Sequence, residues 1–153
     1  MKKLIAILAV AMMIIAAKAD QPGKTAKFVS VNKETGWITV IGFWTGNPSK
    51  KMKMTLCLGG VFISTIKEPY RTEAVEYLEK MIKGKKLTID WGGVNSLAYV
   101  GKLFINLEMV KSGYGTGEDP GFSKAQQAMF KKAADEAKAA KRGMWRDEAP
   151  AQN

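Results

Sequence analysis

The chain has no histidine and one cysteine, Cys57. Without an imidazole there is no Ser-His-Asp or Cys-His pair to activate a nucleophile, and no His-ligated zinc site. With a single thiol no internal disulfide can close. Cys57 lies in an apolar run and reads as a buried free thiol rather than an intermolecular bridge. Acidic residues are scarce as well: 14 Asp and Glu stand against 24 Lys and Arg, a net charge of +10. The deficit is sharpest in "MTLCLGGVFISTI", Met54 to Ile66, which carries no charge at all. The lysine-rich "KKMK" immediately precedes it.

What is present begins with "MKKLIAILAVAMMIIAAKAD". Two lysines precede an uncharged run from Leu4 to Ala17, which ends in the small-x-small pattern Ala17-Lys18-Ala19. This is the layout of a secretory signal peptide over residues 1–19, with cleavage between Ala19 and Asp20. The run is shorter than the roughly 20 residues that span a bilayer. No cysteine follows to carry a lipoprotein anchor. The expectation is a bacterial protein exported to the periplasm or secreted, with no membrane segment after cleavage. Removal of Lys2, Lys3 and Lys18, and of no acid, takes the net charge from +10 to +7. Such an excess suits an anionic partner, or a surface of solvated lysines. Residues 20–25 form a lead-in, 26–146 one domain and 147–153 a loose tail.

The first half of that domain reads as strands. "AKFVSV" and "GWITVIGFWT" are rich in β-branched and aromatic residues, with "NKET" as the turn between them. "GNPSK" breaks the second strand. In "KMKMTLCL" Met52, Met54, Leu56 and Leu58 alternate with Lys51, Lys53, Thr55 and Cys57, so the two sets occupy opposite faces. Gly59-Gly60 bends the chain, and "VFISTI" continues the sheet. "YRTEAVEYLEKMIKGKK" is an amphipathic helix with an apolar stripe of Ala74, Val75, Leu78, Met81 and Ile82. Glu76–Lys80 and Glu79–Lys83 are spaced as i,i+4 pairs, and Gly84 stops the helix. "KKLTIDW" and "LAYV" are short strands, and "INLEMVKSGYG" is a helix ended by Gly113. The last helix opens with a capping box, Ser123 and Gln126. Its stripe is Phe130, Ala133, Ala137, Ala140 and Met144; Lys138, Lys141 and Arg142 suit its C-terminal end, and Gly143 closes it. Short strands curling around a helix, with more helix behind, predict an α+β domain on a small barrel.

The segments "TEAVEYLEKMIKGKKLTID", "SLAYV", "INLEMVKSGYG" and "AKAAKRGMW", in that order, resemble the staphylococcal-nuclease-like (thermonuclease) family. Its pattern is a helix before "gkkv.v", a "GR.LAYV" strand, a "vN.eLV..G.A" helix and a closing "k.GlW". The resemblance runs from about Ala26 to Trp145. It implies an OB-type five-stranded β-barrel with three helices, and a Ca²⁺-dependent nuclease in the active members. That chemistry needs a hard cation on carboxylates and arginines on the phosphoryl oxygens.

On this sequence the metal-binding "DGDT" falls on Asn32 to Thr35, where Glu34 is the one weak metal candidate. The strand "vRL.giDtPE" falls on the charge-free run: the arginine on Thr55, the aspartate near Gly60 and the acid near Ile63. The arginine before "LAYV" falls near Asn95. No catalytic residue is therefore assigned. The nearest charged substitutes are Lys51, Lys53, Lys67 and Glu68. What the resemblance then implies is a degenerate, non-catalytic binding module, without a cofactor, for single-stranded nucleic acid or another polyanion. The nucleic-acid-binding candidates are Lys51, Lys53, Lys83, Lys85, Lys86, Trp91 and Tyr114. Trp37, Trp44 and Trp145 read as core or staple residues. The other readings are a protein-binding or envelope-structural role, and a diverged Ca²⁺-dependent nuclease using Glu34, Glu68 or Asp90.

Overall fold

A computed structural model describes residues 25–44, 47–91 and 95–147. The signal-peptide segment 1–19, most of the lead-in and tail residues 148–153 lie outside the described residues. So do the side chains of Trp44 and Trp91. Among the described residues no helix is long and apolar enough to cross a membrane.

Six strands form one antiparallel sheet in the order β3-β2-β1-β4-β5-β6. They are β1 (Thr25–Val31), β2 (Ile38–Trp44), β3 (Asn47–Leu56), β4 (Lys86–Trp91), β5 (Ser96–Val100) and the two-residue β6 (Leu103–Phe104). The expected count was five; β6 is a short hairpin return on β5, with Tyr99 opposite Phe104. Alternation builds β1 and β2. Ala26, Val31, Ile38 and Val40 are buried while Lys27 and Ile41 face out. A bulge between Phe28 and Ser30 lets the ladder resume with Ser30 against Thr39 and Val31 against Ile38. Along β3 the predicted apolar face grades from exposed Met52 through half-buried Met54 to buried Leu56.

"VFISTI" does not extend the sheet. Leu58 makes a single parallel bridge to Ser96, and Ile63–Thr65 is a 3₁₀ turn. Ser96 N–H donates to the Cys57 carbonyl at 2.8 Å, and Gly59 N–H donates to the Ser96 carbonyl at 3.0 Å. These bonds join the end of β3 to β5, the strands farthest apart in the ladder apart from β6. The sheet thereby closes on itself as an OB-like barrel. Gly60, at φ +72, turns the chain away from this seam.

Three helices pack on the barrel: α1 (Tyr70–Ile82), α2 (Ile105–Lys111) and α3 (Lys124–Ala139). The predicted α1 stripe is buried in full. Its two i,i+4 charge pairs do not close, and Glu76, Lys80 and Lys83 stay at the surface. The α3 capping box forms with both bonds, Gln126 N–H to Ser123 Oγ and Ser123 N–H to Gln126 Oε1. Phe130, Ala133, Ala134 and Ala137 are buried, whereas Ala140 is exposed. Phe130 stacks on Phe122 at 4.5 Å and meets Phe104 edge-on at 5.6 Å; Phe104 stacks on Tyr99 at 4.7 Å. This aromatic chain couples α3 to β5.

Gly143 does not close α3. Lys141, at φ 48, takes the left-handed position, with Lys141 N–H bonded to the Lys138 carbonyl and Arg142 N–H to the Ala137 carbonyl. Gly143 serves a later contact: a Cβ there would lie 2.5 Å from the Gly113 carbonyl oxygen. The two backbones touch, and Met144 N–H donates to Gly113 at 3.0 Å.

Candidate functional site

Two polar regions arise from this architecture. The first is a row across the outer face of the barrel. Lys53 of β3 is opposite Ile41 of β2, Ile41 is opposite Lys27 of β1, and Lys27 is opposite Lys86 of β4. Directly opposed residues share a face, and all four side chains are exposed. At about 4.8 Å between strands the row spans roughly 14 Å. Lys27, Lys53 and Lys86 form no ion pair among the described residues. Beside the row lies a shallow groove of about 420 Å³, with Ile41 and Gly42 between Lys27, Lys51, Lys85 and Lys86.

The structure thus brings together four of the sequence candidates, Lys51, Lys53, Lys85 and Lys86. It adds Lys27, which sequence reasoning missed. Nothing in "TAKFVSV" marks Lys27 apart from its alternation; its neighbours come from strand pairing. Lys83 is exposed at the C-cap of α1 and does not line the groove. Tyr114 is committed elsewhere. Its hydroxyl donates to Glu73 at 3.1 Å and its ring packs on Tyr77 at 5.5 Å. Burial first, and then Glu73, raise its pKa. Glu73 also pairs with Arg146, whose guanidinium lies over Tyr70, while the Tyr70 hydroxyl donates to Asp147. This network ties Arg146 and Asp147 to α1. Trp91's side chain lies outside the described residues.

The second region is the seam itself. Asn95 Nδ2 donates to Asp119 Oδ2 at 2.6 Å, and Gly121 N–H donates to Asp119 Oδ1 at 2.8 Å. Asp119 is buried. The half-buried Cys57 thiol has its pKa raised by burial and then by the negative charge of Asp119. Asn95 is where the resemblance aligned the second arginine, and it holds a neutral amide engaged by a carboxylate. Thr55, aligned with the first arginine, lies on the outer face with its Oγ1 3.3 Å from Thr39 Oγ1. Asp119 was missed from sequence; its local signal, "EDPGF", is a turn motif, and Phe122 N–H does return to the Asp119 carbonyl.

The residues described do not fit the family's cation. Among them no three His, Cys, Asp or Glu cluster closely enough to hold a metal. Glu34 is exposed in the β1–β2 turn, where Asn32 Oδ1 accepts the backbone N–H of Glu34 and Thr35, each at 2.9 Å. Glu68 accepts from Arg71 Nε at 2.8 Å and from Thr72, and caps the start of α1. The larger groove, about 660 Å³ between the 116–120 loop and α3, mixes Glu118, Asp119 and Asp135 with Lys131 and Lys138. Lys131 there is paired with Asp135 at 2.7 Å. It offers no net positive surface.

A closed OB-like barrel with three helices and an outward basic row defines the class: an α+β barrel of the nuclease-derived type. A family model described as staphylococcal nuclease homologue matches residues 47–147, and the chain belongs to that family. The match begins at β3, so β1 and β2, which carry Lys27 and Ile41, precede it. A search of curated proteins found no match.

Proposed function

We propose that this chain is an exported, non-catalytic staphylococcal nuclease homologue that binds a polyanion, nucleic acid foremost, through its outer lysine row. The observation that carries this reading is the alignment of Lys53, Lys27 and Lys86 across the barrel, flanked by Lys51 and Lys85. Three ammonium groups within roughly 14 Å match a ligand with closely repeated negative charge. A lysine binds phosphate as a point charge and does not need the bidentate geometry of arginine.

The non-catalytic half of the proposal rests on what occupies the aligned reaction centre. Thr55 and Asn95, at the two aligned arginine positions, offer no fixed positive charge to a phosphoryl oxygen, and Gly60 and Ile63 offer no carboxylate. Loss of one such contact costs about 10²–10³ in rate, and here several are missing together.

The test follows mobility shift and cleavage of end-labelled single-stranded DNA by the exported protein, in Ca²⁺ and in chelator. The expected outcome is a shift without cutting, with log affinity falling against log salt at a slope of about −2 for three neutralised phosphates. Lys27→Glu with Lys53→Glu should abolish the shift. Metal-dependent cutting would overturn the non-catalytic reading. Binding indifferent to salt and to charge reversal would move the partner to a protein.

A further inference from the structure

The outer face carries one large side chain that the sequence pattern assigned to the interior. Trp37, just before β2, is 48% exposed. Its neighbour Ile38 is fully buried and pairs with Val31. One step further out, Asn32 N–H donates to the Trp37 carbonyl at 2.8 Å and so closes the hairpin. Alternation from Ile38 and Val40, both inward, places Trp37 on the same side as Thr39 and Ile41. That is the face of the lysine row. Trp37 is four positions from Ile41, about 13 Å along the strand.

The stem of this tryptophan is fixed. Its N–H donates to Thr35 Oγ1 at 3.2 Å, its carbonyl accepts from Asn32, and Thr35 is itself held by Asn32 Oδ1. A large flat ring on a rigid backbone, with two side-chain torsions to order, presents contact area at low entropic cost. Strand geometry puts the exposed tryptophan about 14 Å from the Lys27 and Lys53 positions and about 16 Å from Lys86, which matches the two parts of a single-strand site: cations for the phosphates and an aromatic plane for a base.

Resting on the polyanion-binding reading above, we infer that Trp37 is a base-stacking platform, and that the polyanion is single-stranded nucleic acid. The phosphates lie along Lys53, Lys27 and Lys86, and a base stacks on the Trp37 ring. The separation fits within the smallest single-strand footprints on such barrels, about four nucleotides. A duplex is disfavoured because its bases already stack on one another. The inference extends to β1 and β2, outside the segment that matches the family model.

The test compares two probes of equal length and charge, a 12-residue oligothymidylate and its abasic counterpart. Affinity is measured by fluorescence anisotropy for the wild-type protein, Trp37→Ala, Trp37→Phe and the Lys27→Glu/Lys53→Glu variant. Circular dichroism confirms that each variant is folded. Trp37→Ala should weaken oligothymidylate binding about 5- to 100-fold. It should leave abasic binding and the salt slope unchanged, and Trp37→Phe should recover part of the loss. Oligothymidylate should quench wild-type tryptophan fluorescence, and the Ala variant should lose that quench. Equal weakening of both probes, or of neither, would overturn the stacking platform. If charge reversal still abolished both complexes in that case, the polyanion reading would stand alone. Failure of both probes to bind wild-type protein would overturn the two together.

Discussion

At the scale of single residues the seam disfavours the thiolate form of Cys57. Half-burial removes water from the thiolate, and Asp119 adds a like charge; both favour the protonated thiol. Alkylation by iodoacetamide should therefore be slower than that of a free cysteine at neutral pH. Its rate should rise with a midpoint above the ordinary thiol range, about 8.5. Asp119→Asn removes the smaller cause and should lower the midpoint without returning it to the free value, because burial persists. A midpoint at or below that of free cysteine in the wild-type protein would refute this account. The same scale separates Trp37 from Trp145. Trp145 is buried, with the Lys138 ammonium 4.3 Å from its ring centroid, and is the staple that its motif implied. Trp37 is at the surface, where the backbone of the hairpin holds it.

At the scale of elements, Asn106 shows how one side chain joins a helix, a strand and the Gly59 turn. It is the first polar residue of α2 and is fully buried. Its Oδ1 accepts from Ala98 N–H of β5 at 2.9 Å, and its Nδ2 donates to the carbonyls of Gly59 and Ser96 at 2.9 and 3.0 Å. Two of these partners belong to the seam. Asn106→Ala leaves a donor and two acceptors without that side chain, each worth about 1–3 kcal/mol when buried. Partial relaxation makes the expected destabilisation about 2–4 kcal/mol, measured by urea unfolding at neutral pH. A loss under 1 kcal/mol would mean that the seam does not depend on this residue. The asparagine was visible in "INLEMVKSGYG" as part of a family pattern, but its bonds were not, because its partners are 8 to 47 residues away.

For the whole molecule, the closed barrel sets an alkaline limit on stability. Tyr99 is buried in β5 against the Phe104 ring, and burial first, then Asp90, pushes its phenol far above the ordinary value. The unfolded chain therefore releases the Tyr99 proton at lower pH than the folded one does. The contribution of the neutral phenol is complete below the unfolded value of about 10 and is lost progressively as pH rises beyond it. Urea midpoints should hold steady to about pH 9 and fall above pH 10. Tyr99→Phe should show a smaller fall over the same interval. An identical alkaline decline in both proteins would assign the effect to other groups.

Several features were decided by the sequence alone. The lack of histidine and the charge-free Met54–Ile66 run restrict the chemistry in any fold. The α1 stripe and the Ser123–Gln126 capping box depend on residues within a few positions of one another, so local periodicity was enough to identify them. Tertiary structure decided the rest. Lys27, Ile41, Lys53 and Lys86 become neighbours only through the registers of four strands. Asp119 meets Asn95 and Cys57 only because the barrel closes between Leu58 and Ser96. Trp37 is hydrophobic by composition and exposed by position, since the side a residue takes is fixed by its place in the pleat and by which face of the sheet encloses the core. Cross-strand proximity is set by pairing between distant segments, and no local pattern encodes it.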